Sequence, residues 1–184
     1  MRIDNNMGPF QPKPDDPALE LVGNKTPITL KNIKYSSRFS RETHLFQATI
    51  YMDGIRSMKV SNDGNGTSNQ YYHTNGQSRE EFNRQFEKAI QIAADYAEEK
   101  TATSYLLDEL INELMNEYFA LKHMRTKMKT KTIFYDKSLK KVFRYDHKPT
   151  PEALDFYKRE PTYTNALFFN DLPESEAYYY WRKR

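Results

Sequence analysis

The chain has 184 residues, a net charge of +3, 38% apolar residues and no cysteine. That length suits one domain, with or without appendages, and the lack of cysteine excludes a disulfide framework and thiolate metal sites. No stretch approaches the roughly 18 apolar residues of a membrane helix, and Met1–Asp15 lacks the apolar core of a secretory signal; a cytoplasmic protein with no membrane partner is expected.

Residues 1–27 read as an arm, because Pro9, Pro12, Pro14, Pro17 and Pro27 interrupt any helix and Asn and Asp fill the gaps. A body follows over 28–172. Its first β-formers alternate loosely from Ile28 to Phe39. Leu45–Met52 then sets Phe46, Ala48, Ile50 and Met52 against Gln47, Thr49 and Tyr51, and Met58 and Val60 continue the pattern after Asp53-Gly54. Two alternating runs joined by Asp-Gly predict a β-hairpin, since that turn needs positive φ. Asn62–Gln77 reads as a polar loop. Ser78, with Glu81 three residues on, caps a helix whose face is Phe82, Phe86, Ala89, Ile90, Ala93 and Ala97. A second helix is expected from about Thr103 to Lys127, with a stripe of Leu107, Leu110, Ile111, Leu114, Tyr118 and Leu121. Lys131–Asp136 and Lys141–Asp146 predict a second, short hairpin. Thr150-Pro151 starts a short helix, Ala166–Phe169 a last strand, and 173–184 an aromatic and basic tail. Strands, then two central amphipathic helices, then strands imply an α+β fold with an antiparallel sheet.

Charge is unevenly spread. Residues 120–149 hold ten bases and two acids, a balance of +8, while the remainder balances to −5. A clustered basic surface attracts phosphates or acidic proteins. In this stretch Lys127, Lys129 and Lys131 alternate and would project from one face of a strand, with Lys141 and Arg144 close by and Phe134, Tyr135, Phe143 and Tyr145 interleaved. Lysines on phosphates and rings on bases are the combination of single-strand binders. The same residues also suit an edge hairpin protected by lysines, with its rings in the core.

The second candidate is the Gly-rich loop, with Asn62, Asp63, Asn65, Asn69, Tyr72 and His73. Ser61-x-Asp63-x-Asn65-Gly66 matches the early positions of an EF-hand, but position 12 is Tyr72 where a bidentate Glu is required. The loop could offer N–H groups to an anion, or its glycines could serve only a long connection. His44, His73, His123 and His147 are dispersed, and nucleophile motifs are missing. No metal, no cofactor and no catalytic residue is therefore assigned.

The hairpin run Phe46–Gly54, followed by Val60-Ser61-Asn62-Asp63-Gly64-Asn65-Gly66, Asn69 and Tyr71-Tyr72, resembles a group of small uncharacterised proteins of bacterial and phage genomes. Lys131-Thr132-Ile133-Phe134 matches a strand of that group. The resemblance covers about half the chain, carries no activity, and implies a phage or mobile-element setting, hence the host cytoplasm. The expectation is a non-enzymatic binding protein that engages nucleic acid, a nucleotide or an acidic, nucleic-acid-handling host protein, in host takeover or anti-defence. The alternative is an assembly component, homo-oligomeric through its arm and tail.

Overall fold

The computed structural model describes residues 21–36, 38 and 40–183, with backbone alone for Val22 and Gly23. Most of the expected arm, residues 1–20, lies outside the described residues, as does Arg184. The architecture is α+β, with one four-stranded and one three-stranded antiparallel sheet. The described chain forms two compact units, Leu21–Tyr118 and a second from Phe119 onward.

In the first unit a single helical turn, α1 (Val22–Lys25), precedes β1 (Ile28–Ser36), β2 (Leu45–Met52), β3 (Ile55–Asp63) and β4 (Gln70–Tyr72), which lie side by side in chain order. Asp53 and Gly54 both take positive φ, 51° and 77°, the mirror-image turn whose twist matches the strands it joins. The predicted alternation holds. Phe46, Ala48, Ile50 and Met52 are buried, as are Met58 and Val60 across the ladder.

β4 is a correction. It lies within the stretch expected to be a loop, and three residues are too few to display a period of two. Its central Tyr71 faces inward, where the hydroxyl donates to the Asp108 carboxylate at 2.7 Å. Burial, and then the Asp108 charge, push this phenol well above its ordinary range.

Two helices supply the other layer. α2 (Arg79–Tyr96) starts where Ser78 Oγ accepts the Glu81 N–H at 3.1 Å. Half of the expected capping box is thus present, while the Glu81 carboxylate pairs with Arg84 at 3.5 Å. α2 buries the small residues Ala89, Ala93 and Ala94, and Phe86 meets the Tyr71 ring at 5.1 Å between centroids. α3 (Ser104–Met128) begins in this unit and buries Leu107, Leu110, Ile111, Leu114 and Met115, four residues of the expected stripe with one methionine added; Tyr118 is half-buried, and Leu121, in the second unit, is buried.

The second unit holds the end of α3, then β5 (Thr132–Asp136), β6 (Lys141–Tyr145), α4 (Pro151–Arg159), β7 (Ala166–Phe168) and α5 (Glu174–Trp181). The strand order is β6-β5-β7. Thr150 Oγ1 accepts the Ala153 N–H at 3.2 Å and Pro151 opens α4, as predicted. At the β5–β6 turn the Asp136 carboxylate accepts the Ser138 and Leu139 N–H groups at 2.8 and 3.0 Å. The Ser138 hydroxyl donates to the same carboxylate, and that bond first, then the Leu139 N–H, holds the carboxyl below the usual range.

The core of this unit is aromatic. Phe134 is 3% exposed and lies within 5.4–5.6 Å of the Phe143, Tyr145, Tyr163 and Phe168 rings. The expected tail folds as α5. Tyr180 stacks on Tyr135 at 4.3 Å, and the edge of Trp181 meets Phe169 at 6.4 Å.

One group in α5 is costly. Glu176 is 6% exposed, and its Oε1 has no hydrogen-bond partner among the described residues. Burial raises its pKa, opposed by the charge of Lys137. A carboxyl that holds its proton more tightly folded than unfolded loses stability as pH rises from the ordinary carboxylate value through the raised one. Glu176→Gln is therefore expected to stabilise the protein at pH 7 by about 1 kcal/mol, with the gain vanishing near pH 3. Thermal melts at the two pH values check this; an equal or lower Tm for the variant at pH 7 would show that the buried charge is compensated.

Candidate functional site on the outer face of the sheet

The face of the four-stranded sheet opposite the buried methionines and Phe46 is polar, basic and exposed. Strict alternation would not make it so. Lys31 and Lys34 are three residues apart in β1, and residues at odd spacing normally point to opposite faces. Here Lys31 is opposite Thr49 and Lys34 is opposite Gln47, with a register shift between them. Thr49 and Gln47 are two apart in β2, so both lysines share one face. Asn32, at φ 53°, takes up the extra residue, a conformation Asn tolerates better than most residues.

β3 repeats the device. Arg56 is opposite Tyr51 and Lys59 opposite Thr49, with the shift between Ile50 and Tyr51. Ser57 is the additional residue; it is buried, its hydroxyl donates to the Ile55 carbonyl at 3.0 Å, and its own carbonyl accepts the Gln77 amide at 3.0 Å. Each bulge inserts one residue and re-aims the side chains beyond it.

The result is a row across all four strands, Lys31–Thr49–Lys59–Tyr72. Gln47, Thr49 and Ser61 form the floor of a trough of about 670 Å³, with Asn32 and Lys34 on one side and Tyr72, His73 and Asn75 on the other. Arg56 and Lys59 stand within it, and no carboxylate is among its lining residues. Lys34, Arg56 and Lys59 make no ion pair with any described residue. The Lys31 ammonium lies 4.4 Å over the Tyr51 ring, a cation–π contact. The Tyr72 ring is 44% exposed and its hydroxyl donates to Gln70. His73 Nδ1 lies 3.2 Å from the Thr74 carbonyl, which leaves Nε2 as the ring's other polar atom.

The Gly-rich loop, in contrast, is occupied with itself. Asn62 is 4% exposed and spends its amide fully: Nδ2 donates to the Thr67 carbonyl at 2.8 Å and to Asn69 at 3.1 Å, while Oδ1 accepts from Thr43 Oγ1 at 2.7 Å and from the Gly64 N–H at 2.9 Å. Asn69 is buried and reaches the Asp108 carbonyl at 3.5 Å. The Asp63 carboxylate accepts the Asn65 N–H at 3.0 Å and the Thr67 hydroxyl at 2.9 Å, bonds that hold its pKa down. The Gly66 N–H goes to Thr43 at 3.2 Å. The N–H groups of Gly64, Asn65 and Gly66 are all directed within the first unit, to Asn62, Asp63 and Thr43, so they form no open anion nest. Among the described residues no group of three His, Asp or Glu is placed to hold a metal ion.

The basic segment is dispersed. Lys127 lies in the last turn of α3, because the helix continues to Met128, and its carbonyl accepts the Thr130 and Lys131 N–H groups at 3.0 and 2.9 Å. Lys129 follows in the turn, and Lys131 precedes β5 with its ammonium on Asp146, whose pKa it lowers. The three lysines expected along one strand are thus in a helix, a turn and an ion pair. In β6, Lys141 alternates with Arg144 and the two point to opposite faces. The Phe134, Phe143 and Tyr145 rings that would have stacked on bases are packed together.

Of the residues picked from sequence, Tyr72 and His73 lie on the sheet trough. Lys31, Lys34, Arg56 and Lys59 were missed. The clue was the repeated three-residue spacing of cations, with a turn-prone Asn inside the first pair.

No family model, curated protein or solved structure matches this chain.

The two kinds of residue should separate in a stability measurement. Asn62→Ala is expected to cost about 2 kcal/mol in chemical denaturation, since it strands buried partners. Lys34→Ser and Lys59→Ser should each stay within about 0.5 kcal/mol of the parent. An Asn62→Ala midpoint equal to the parent's would remove the loop amide from its structural role.

Proposed function

We propose that this chain is a non-enzymatic nucleic-acid-binding protein whose contact surface is the outer face of the four-stranded sheet. The observation that supports this reading is the set of Lys34, Arg56 and Lys59 around one trough that has no carboxylate in its lining. Cations left without ion partners on an exposed face attract a polyanion and release its counterions. The hydroxyls and amides between them, Thr49, Ser61, Gln47 and Asn75, suit phosphate and sugar oxygens. The phage or mobile-element setting rests on the resemblance of the Ser61–Gly66 loop, and a role in host takeover or anti-defence belongs to that setting.

The reading departs from the one that charge counting alone suggests, because the basic stretch of the second unit has no common face. For an assembly role, the aromatic residues of α5 offer little: Tyr178, Tyr180 and Trp181 are all buried.

Fluorescence anisotropy of a labelled single-stranded oligonucleotide tests the proposal. Binding should weaken with salt, with a log–log slope of about −2 for three phosphate contacts on a single strand. Replacing Lys34, Arg56 and Lys59 together by Glu should weaken binding at least about tenfold, whereas the same change at Lys129, Lys141 and Arg144 should have a much smaller effect. No binding at low salt, or a loss confined to the second triple variant, would overturn the reading.

A further inference from the structure

We infer that the nucleic acid this face accepts is single-stranded, and that Tyr72 is the platform for one unstacked base. The inference rests on the function proposed above and adds the strandedness of the ligand.

The face offers two tyrosines, and they are not equivalent. Tyr51 already has the Lys31 ammonium 4.4 Å over its ring. The Tyr72 ring is 44% exposed, and its hydroxyl is tied to Gln70, the residue two before it on the same side of β4. That bond fixes the ring without covering it. Beneath it, Tyr71 is anchored inward by Asp108 and by the Phe86 ring, so the platform stands on a strand that is itself held.

Tyr72 is directly across the ladder from Lys59. Residues directly opposite each other project from neighbouring strands on the same face, so a ring and a cation stand side by side there. Lys34 and Arg56 lie one alternation step to either side of the Lys59 level, roughly 7 Å along the strands. Arg56 and Lys59 follow one another along β3 beside the ring, and Lys34 stands across the trough on β1, an arrangement that suits a backbone passing over the sheet and turning one base down. A duplex keeps its base faces stacked inside and can use only the cations. Stacking is worth about one to three kcal/mol per base in single-strand binders, and it tolerates any sequence because every base has a π-face.

The experiment compares a labelled 12-nucleotide oligo(dT) with a hairpin duplex of equal phosphate number, at matched salt, on the full chain. The single strand should bind at least about tenfold tighter. Tyr72→Leu should reduce single-strand affinity roughly tenfold and leave the duplex unchanged, and Tyr72→Phe, which keeps the ring, should hold most of the affinity. A 4-thiothymidine placed in the strand should photocross-link to the peptide containing residues 70–75. Equal affinity for strand and duplex, a silent Tyr72→Leu, or a cross-link confined to other peptides would each overturn the inference, while the salt-dependent contact through Lys34, Arg56 and Lys59 would stand. Loss of that salt-dependent contact is the separate result that removes the function itself.

Discussion

Two additional residues, one in β1 and one in β3, decide where the charge of this sheet points. A strand's side chains alternate without exception while the register holds. Lys31 and Lys34, or Arg56 and Lys59, would then divide between the core and the outside, and each sheet pairing would bury a cation at a cost of several kcal/mol. The bulges resolve the conflict. They keep Leu30, Ile50 and Met58 on the inner face and put all four cations on the outer one. The conformational cost is small, because Asn32 accepts a positive φ and Ser57 finds a carbonyl for its buried hydroxyl. Bulges recur beside functional sites for this reason: they re-aim a side chain without rebuilding the core.

The outer face also depends on a strand of only three residues. β4 pairs with β3 through Gln70, Tyr71 and Tyr72, too few to hold an edge by ladder bonds alone. Its position is set from the inside instead. Asp108 of α3 accepts from both Tyr71 and Asn69, and Asn69 in turn meets the Asn62 amide that organises the loop. The Gly-rich loop thus reads as a brace. Its bonds end on groups that place Tyr72, so sequence features that looked like a ligand site act one layer behind it.

This explains which parts were legible in the sequence. The Asp53-Gly54 hairpin, the Ser78 and Thr150 caps and the stripe from Leu107 to Leu114 are local patterns with local causes, and the fold reproduces them. The bulges are not local in that sense. Whether β1 carries an additional residue after Lys31 is decided by the pairing with β2, and nothing within Lys31–Lys34 states the partner's register. β4 escaped because three residues show no period. Lys127, Lys129 and Lys131 do not share a strand face because α3 runs through Met128: Lys127 ends the helix, Lys129 lies in the turn that follows, and Lys131 sits just before β5.

Counting charge along the chain failed for a related reason. Residues 28–63 hold six bases and three acids, and residues 78–118 hold four bases and ten acids. Summed together, the first unit looks mildly acidic and unpromising as a phosphate binder. Folding separates the two populations: eight of the ten acids ride on α2 and α3, and four of the bases stand on the outer face of the sheet. The helices pack against the inner face, and among the described residues Lys34, Arg56 and Lys59 form no ion pair with the helix acids. In the second unit the segment with the larger excess, +8, is partly engaged locally, as Lys131 takes Asp146 within the segment and Arg125 forms a bidentate pair with Glu174 at 2.6 and 2.7 Å. A polyanion responds to the field at a surface, which falls off within about a Debye length. On that scale a few cations collected on one open face outweigh a larger number spread over a helix end, a turn and two sides of a strand.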